Sequence, residues 1–141
     1  MVVLVCLKRY VRVYRQLWLA YGSSMDVAYA GFGAIVIDGD RFDHDVVVEA
    51  GHVRPREKGP SKAYRNRYGH TPLSPDESIP WSSPRLVVGT GASGQLPIMP
   101  EMWAEAKDRG VELIVLPTSE ACQLLGSIDP GEVHAILHVT C

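Results

Sequence analysis

The sequence has few cysteines, and their spacing excludes the sites that cysteines most often build. It has three, an odd number: Cys6, Cys122 and Cys141. No two of them form the Cys-x-x-Cys pair of a structural zinc site or a dithiol redox centre, so no such metal or redox site is predicted. Reduced thiols in a cytoplasmic compartment are the expected state.

Long apolar runs are also missing. The run at residues 2–7 is six residues long, whereas a helix that spans a membrane needs about 20 apolar residues. No basic residue precedes this run, as a secretory signal would require. The sequence therefore predicts no transmembrane segment and a cytoplasmic protein.

Acidic residues are absent before Asp26, and the segment before it is basic. It contains four basic residues: Lys8, Arg9, Arg12 and Arg15. Three of these share one face of a helix, opposite apolar side chains, so contact with a membrane surface and an organelle-targeting role both stay open. The simpler interpretation is that Met25 is the true start, that residues 1–24 are an amphipathic or disordered extension, and that residues 25–141 form the domain.

The rest of the chain is acidic. Without those four residues, ten basic residues stand against sixteen acidic ones, a net charge of about −6. Nucleic-acid binding depends on many Lys and Arg side chains that neutralise phosphates. General nucleic-acid binding is therefore not expected, and any basic surface must be local.

The first half of the domain is predicted to be β-rich. Residues 33–37 and 40–42 flank Asp38-Gly39, a pair that suits a two-residue hairpin turn because it adopts positive φ angles. Residues 46–49 give a third strand, which Ala50-Gly51 ends.

Residues 50–85 are predicted to form a loop, because prolines interrupt every periodic pattern. The prolines are Pro55, Pro60, Pro72, Pro75, Pro80 and Pro84. Only residues 74–77, Ser-Pro-Asp-Glu, are typical of a helix start, and one short helical turn is expected there. The loop carries a basic patch with interleaved tyrosines: Arg54, Arg56, Lys58, Lys62, Tyr64, Arg65, Arg67 and Tyr68. Such a patch can bind phosphates and stack on bases. The alternative is that it is an ordinary solvated surface.

The second half alternates strands and helices. Strands are predicted at 85–88, 111–116 and 133–139, with helices at 100–109 and after Thr118, the expected N-cap residue. This order implies an α/β domain with parallel strands and right-handed crossovers, which places a site beyond the carboxyl ends of the strands.

A strand that runs into a glycine-rich turn, at residues 86–97, is the most distinctive stretch. Gly89-x-Gly91-x-x-Gly94 matches the dinucleotide-binding fingerprint, but two prolines delay the helix that should follow it. The next strand also ends without the carboxylate that binds a ribose hydroxyl. Dinucleotide binding is therefore the least favoured function, and no cofactor is predicted.

The backbone amides and hydroxyls of this turn suit an anion. The predicted ligand-binding residues are Gly89, Thr90, Gly91, Ser93 and Gly94, with Arg65 and Arg67 from the basic patch. The alternative is that the glycines only let the chain turn from sheet to helix.

Two histidines are candidates for a catalytic acid or base. His138 stands near the carboxyl end of the last predicted strand, and His70 stands in the long loop. His134 and His138 are four positions apart, but on a strand this spacing is about 13 Å, too far to share one metal ion. Cys122 is expected in the core.

Several ordered motifs resemble one known family. They are Leu-Val-Val-Gly-Thr-Gly at 86–91, Leu96-Pro97, Arg-Gly-Val-Glu at 109–112, Pro117-Thr118-x-x-Ala121 and Leu-His-Val-Thr-Cys at 137–141. With Gly69-His70 in the loop, they make residues 30–141 similar to the MTH-type domain family, which is named after an archaeal structural-genomics protein. The family also includes an adipogenesis-associated protein and, distantly, a mitochondrial complex I assembly factor.

The resemblance implies a single compact three-layer α/β domain, with a mixed sheet, helices and an additional antiparallel β layer from the amino-terminal half. It implies no established catalytic activity, and relatives that act as assembly or regulatory factors. The chain departs from the family where Tyr64 and Tyr68 stand in place of tryptophans and where Pro80 shortens a helix.

Two functions follow as hypotheses. The first is a non-catalytic binding or assembly module for a protein partner or a small anionic ligand. The second is a small enzyme that acts on an anionic metabolite, with His70 or His138 as acid or base. The first is favoured, because no nucleophile and base pair can be assembled from the sequence.

Overall fold

The structure is a computed structural model that describes residues 24–141; apart from Ser24, the predicted extension lies outside the described residues. The first three strands form an antiparallel sheet: β1 (Val27–Tyr29), β2 (Ile35–Ile37) and β3 (Asp40–Phe42). Asp38 and Gly39 connect β2 to β3 with φ angles of 49° and 88°, the conformation that a two-residue hairpin turn requires. The predicted hairpin is confirmed, whereas β1 is a strand that the sequence pattern does not predict.

The remaining strands form a five-stranded mixed sheet in the order β5-β4-β8-β6-β7. They are β4 (Val46–Glu49), β5 (His52–Pro55), β6 (Arg85–Thr90), β7 (Glu112–Leu116) and β8 (Val133–His138). As predicted, β6 is parallel to both β7 and β8. Strand β4 is antiparallel to β5 and to β8. Thr90 lies opposite His138, so β6 and β8 end at the same edge of the sheet.

The prediction of a continuous loop over residues 50–85 is wrong. This stretch contains β5, a 3₁₀ helix (Gly59–Tyr64) and the one-turn helix α1 (Arg65–Tyr68). Pro55 is tolerated because β5 is an edge strand, and the neighbouring Arg56 N–H, not Pro55, bonds to the Asp45 carbonyl next to β4. Pro60 stands in the first turn of the 3₁₀ helix, where a missing N–H costs no bond.

The short helix predicted at residues 74–77 is also absent. The segment is a turn in which the Glu77 N–H donates to the Ser74 carbonyl over 3.3 Å. A capping box needs the glutamate side chain to reach back to the amide at the helix start. Here the Glu77 carboxylate binds Arg56 instead, so tertiary pairing overrides the local signal.

Two longer helices connect the parallel strands, as predicted: α2 (Pro100–Arg109) and α3 (Thr118–Leu125). Pro100 occupies the first turn of α2, and Gly110 ends it with a φ angle of 68°. Helix α3 begins at Thr118 rather than after it, with Pro117 as its cap residue. None of the helices in residues 24–141 combines the length and the apolar character that crossing a membrane requires.

Apolar cores lie on both faces of the five-stranded sheet. One core packs the sheet against β1–β3 and α3, and includes Ile35, Ile37, Val87, Cys122, Leu125 and Ala135. The other packs the sheet against α2 and the segment before β6, and includes Val47, Leu73, Leu86, Val88, Met102 and Ile136. Successive residues of β6 alternate between the two cores, as they must on a strand covered on both faces. The three-layer α/β domain with an additional antiparallel layer is therefore confirmed.

Candidate functional site

A cavity of about 360 Å³ opens where β6 and β8 reach their carboxyl ends. Eleven residues line it: Arg56, Lys58, Lys62, Arg65, His70, Thr71, Gln95, Leu96, His138, Thr140 and Cys141. Four of these are Lys or Arg and two are His, and none of these lining residues has an acidic side chain. The cavity is thus a basic recess in a chain whose overall charge is negative.

Three of the cations come from one short stretch. Lys58 precedes the 3₁₀ helix, Lys62 lies within it, and Arg65 begins α1. Lys62 and Arg65 are three positions apart, a spacing that aligns side chains on one face of a 3₁₀ helix, and all three cations line the recess. Gly69, with a φ angle of 76°, ends α1 and turns the chain so that His70 follows into the cavity wall.

Arg56, the fourth cation, differs because its charge is compensated. Its guanidinium donates two hydrogen bonds of 2.8 Å to Glu77, one of 3.1 Å to Asp45 Oδ2 and one of 3.0 Å to the Pro72 carbonyl. Burial lowers the pKa of Arg56, but Glu77 and Asp45 raise it by more, so the guanidinium stays charged. Arg56 therefore lines the cavity as a charged group whose charge is already balanced by carboxylates of the protein.

Glu77 also binds the cationic segment, residues 58–65, to the rest of the domain. Ser61, within the 3₁₀ helix, donates a short hydrogen bond to Glu77 Oε2, and its Oγ lies 2.7 Å from Ser74 Oγ. Ser61, Ser74 and Glu77 are all buried. Because buried polar groups lose free energy when they are left without partners, this network holds the backbone of the 3₁₀ helix, which carries the exposed Lys62, in one position.

Asp45 joins two lining residues. Its Oδ2 accepts from Arg56 and, over 2.7 Å, from His138 Nδ1, while its Oδ1 accepts from the Val139 N–H over 3.0 Å. Burial raises the pKa of Asp45, but His138, the Val139 amide and Arg56 lower it further, so the pKa lies below its ordinary value of 3.8. An ionised Asp45 requires a proton on His138 Nδ1. In the neutral imidazole Nε2 is then an acceptor, and it lies 3.2 Å from Thr140 Oγ1.

The glycine turn builds a cavity wall and does not present free amides. Its N–H groups all bond within the protein: Gly91 to Thr118 Oγ1 at 2.7 Å, Ala92 to the Thr140 carbonyl at 2.8 Å, Ser93 to the Cys141 carbonyl at 3.0 Å, Gly94 to the Gly91 carbonyl at 3.3 Å and Gln95 to the Cys141 carbonyl at 3.2 Å. The Thr118 hydroxyl in turn donates to the His138 carbonyl over 2.6 Å. The turn therefore holds residues 138–141 against the cavity.

Close approach of these residues explains two of the glycines. A Cβ at Gly91, where φ is 101°, would overlap the Thr140 carbonyl oxygen and would lie 2.9 Å from His138 Cδ2. A Cβ at Gly89 would lie 2.9 Å from Thr118 Oγ1. Neither position has room for a side chain. The glycines therefore allow the end of β6 to pack closely against Thr118 and residues 138–141.

The structure brings some of the predicted site residues together and leaves others apart. Those that line the cavity are Arg65, His70 and His138; those outside its lining are Gly89, Thr90, Gly91, Ser93, Gly94 and Arg67. The buried Thr90 hydroxyl donates to the Leu116 carbonyl over 3.0 Å. Arg67 stacks on Tyr68, with its guanidinium carbon 5.7 Å from the ring centre. Within residues 24–141, no three His, Cys, Asp or Glu side chains gather as a metal site would require.

Several residues of the cavity are missing from the sequence prediction. Lys58 and Lys62 belong to the predicted basic patch but not to the predicted ligand set, and Gln95 and Thr140 are not predicted at all. Asp45 stands immediately before a predicted strand. Its role follows only once that strand is paired with β8, because the pairing of Val46 with Leu137 brings the two strand ends together.

Comparison with known proteins identifies structural relatives. The conserved hypothetical protein PH1505 from Pyrococcus horikoshii is 34% identical, with a TM-score of 0.69, and the match covers 83% of this chain and all of that protein. The protein MT938 is 26% identical, with a TM-score of 0.65, over 84% of this chain and all of that one.

A third relative shares the fold. A Mth938-like domain protein from Bordetella pertussis is 19% identical, with a TM-score of 0.55, over 83% of this chain and 87% of that one. No protein-family model and no curated protein matches the chain. The resemblance expected from the sequence motifs is confirmed, and the chain belongs to the Mth938-like domain family.

Proposed function

We propose that this domain is a non-catalytic binding module whose cavity holds a small anionic molecule. One observation carries the proposal: Lys58, Lys62 and Arg65 face a recess whose lining has no acidic side chain, and none of them forms an ion pair within residues 24–141. Like charges that are held together repel one another, and an anion between them relieves the repulsion. The buried Ser61 network fixes the segment in advance, which lowers the entropic cost of binding.

The assembly or regulatory role implied by the family, with a protein partner, stays a prediction beside this proposal. A ligand that reaches from the cationic segment to residues 138–141 would stiffen this end of the domain and change the surface that a partner meets. The thiols of Cys122 and Cys141 are free, which fits the reducing cytoplasmic compartment that is part of the proposal.

Titration calorimetry with inorganic pyrophosphate tests the anion site, with Arg65→Gln and Arg67→Gln as a matched pair. Both arginines lie in α1, but only Arg65 lines the cavity. Loss of one charge-assisted contact should weaken binding about tenfold in Arg65→Gln, and Arg67→Gln should stay within about twofold of the unaltered protein. Equal effects of the two substitutions, or no binding at about 10 mM pyrophosphate, would contradict the proposal.

A small enzyme that acts on an anionic metabolite is the second candidate, because His138 is arranged like a general base. Asp45 accepts a 2.7 Å hydrogen bond from His138 Nδ1 and so orients the ring, and His138 lines the cavity. The amides of the glycine turn are bonded internally, so they do not supply an oxyanion site. The cations would have to stabilise negative charge in the transition state.

Turnover separates the two candidates. Phosphate esters incubated with the protein are followed by phosphorus and proton NMR, and His138→Asn serves as the control. Conversion that is lost in His138→Asn, while pyrophosphate binding persists, would favour the enzyme. Binding without conversion of any ester favours the binding module.

A further inference from the structure

Two different sets of side chains line the cavity. Residues 56–65 contribute its Lys and Arg side chains, whereas a second group, here called the neutral set, contributes polar side chains other than Lys and Arg: Gln95, His138 and Thr140. A ligand that is only a small inorganic anion would use the first set and leave the second unmatched. The second set therefore carries information about the rest of the ligand.

The neutral set suits hydroxyl groups. Asp45 holds a proton on His138 Nδ1, so in the neutral ring Nε2 accepts from the Thr140 hydroxyl over 3.2 Å. A ligand hydroxyl inserted between these two groups can donate to Nε2 and accept from the Thr140 O–H. Gln95, whose side chain is exposed at the cavity, offers an amide that also donates and accepts. A ligand hydroxyl can donate to one of these groups and accept from another, which a carboxylate or phosphate oxygen cannot do.

The lining also disfavours one large class of anions, the nucleotides. No Phe, Tyr or Trp is among the eleven lining residues, and Leu96 is the main apolar contact. Recognition of a nucleobase normally uses an aromatic or guanidinium plane for stacking. Arg56 is held in place by Glu77 and Asp45, which leaves only Arg65 and the two histidines as planes on which a base could stack. A volume of about 360 Å³ lies at the small end of ligand cavities, which range from about 300 to 1,000 Å³.

We infer that the ligand is a small phosphorylated polyhydroxy compound without an aromatic base, an inference that rests on the proposed anion-binding function. Its phosphate lies among Lys58, Lys62 and Arg65, where Arg and Lys donors match phosphate oxygens. Its hydroxyl groups bond to Gln95, His138 Nε2 and Thr140 Oγ1. The cations thus supply affinity, and the neutral set supplies specificity.

Calorimetry with matched ligands tests the inference. Glycerol 3-phosphate, ribose 5-phosphate and glucose 6-phosphate are compared with inorganic phosphate, and ribose 5-phosphate is compared with adenosine monophosphate, which adds a base to the same sugar phosphate. At least one of the three esters should bind about tenfold tighter than inorganic phosphate, and ribose 5-phosphate should bind about tenfold tighter than the nucleotide.

Two variants assign the preference to the neutral set. In His138→Asn the amide nitrogen takes the place of Nδ1 and keeps the bond to Asp45, but the acceptor at Nε2 is lost. Thr140→Val removes the hydroxyl at almost constant volume, and both substitutions should reduce the preference for the ester about three- to tenfold. Affinity for inorganic phosphate should stay within about twofold of the unaltered protein. The exposed His52, outside the cavity lining, gives the control His52→Asn, which should change neither affinity.

The outcomes separate the inference from the proposed function. If no phosphate compound binds, both are overturned. If inorganic phosphate binds as tightly as every ester, or if the nucleotide binds tighter than ribose 5-phosphate, the inference is overturned and the anion site stands. An ester preference that survives in both variants, each folded by its melting curve, also overturns it.

Discussion

Asp45 Oδ2 and His138 Nδ1 lie 2.7 Å apart, although 93 residues separate them in the chain. Antiparallel pairing of β4 with β8 puts Val46 opposite Leu137, so the residue before one strand meets the residue after Leu137 in the other. The same carboxylate oxygen accepts from Arg56. Asp45 thereby links the buried ion network to the neutral side of the cavity, and its charge affects both stability and the state of His138.

We expect Asp45→Asn to lower the free energy of unfolding by about 3 kcal/mol at neutral pH, because a neutral amide weakens the charge-assisted hydrogen bonds that Asp45 accepts from Arg56, His138 and the Val139 N–H. The pKa of Asp45 is lowered in the folded protein. Its stabilising effect is therefore complete above the ordinary value of 3.8 and is lost as the pH falls through the lowered folded pKa. Urea unfolding at a series of pH values measures the effect.

The difference between the unaltered protein and Asp45→Asn should narrow as the pH falls below about 4. Asp43→Asn is the control, since Asp43 is exposed and only two residues away, and it should have little effect at any pH. A difference that stays constant down to acid pH would show that Asp45 does not stabilise the fold through its charge.

Substitutions of Arg56 and Glu77 should have strongly coupled effects on the free energy of unfolding. Arg56→Met leaves two buried carboxylates without their partner, so we expect a loss of about 3 to 5 kcal/mol in the free energy of unfolding. Adding Glu77→Met removes one of those carboxylates, so the double variant should be more stable than the sum of the single losses predicts. A double-mutant cycle by urea unfolding measures the coupling, and strict additivity would contradict a direct interaction.

Gly91 should tolerate substitution less than any glycine in an open turn. We expect Gly91→Ala to lower the free energy of unfolding by about 3 kcal/mol or more. The new Cβ would overlap the Thr140 carbonyl oxygen, and alanine would also have to adopt an unfavourable positive φ. Gly31 is a matched control, since its φ of 103° is nearly the same and nothing lies within 4 Å of the position that a Cβ would take there. Gly31→Ala should therefore cost only about 1 to 2 kcal/mol.

Gly91→Val should likewise damage folding or binding more than Ser93→Ala, because the Ser93 side chain is exposed and its backbone amide, which bonds Cys141, is unchanged. Melting temperatures and pyrophosphate affinity measure both substitutions. Equal, negligible effects would show that close approach at Gly91 is not what the fold depends on.

Local signals predict the elements of this fold well. The Asp38-Gly39 turn and α2 with its Gly110 end depend on neighbouring residues, and both are found where the pattern places them. The signal fails where a distant partner competes. Glu77 has the sequence position of a capping residue, but Arg56, twenty-one residues away, takes its carboxylate.

The candidate site is less accessible to sequence reasoning, because its parts come together only through strand pairing. Arg65 and His70 could be singled out as a basic residue and a titratable one in the long loop. Asp45 could not, since its relation to His138 depends on the pairing of β4 with β8. The amides of the glycine turn are an attractive anion site in isolation, but residues 138–141 lie against the turn and bond to them.

Cys122 and Cys141 should differ strongly in reactivity. Burial raises the pKa of Cys122 to about 11, so little of its reactive thiolate forms near pH 8, and its side chain is enclosed by the core. Cys141 is half-buried and lines the cavity beside the cations. Iodoacetamide should therefore modify Cys141 at least about tenfold faster than Cys122, as measured by mass spectrometry of the separated peptides.

The same labelling reports on the cavity. Pyrophosphate at a saturating concentration should slow modification of Cys141, because it occupies the space that the reagent must enter, and it should leave Cys122 unchanged. Labelling in concentrated urea is the control, since both thiols of the unfolded chain should react at similar rates. Equal rates for the two cysteines in the folded protein would contradict the burial of Cys122. Unchanged labelling of Cys141 in the presence of bound pyrophosphate would place the anion elsewhere on the domain.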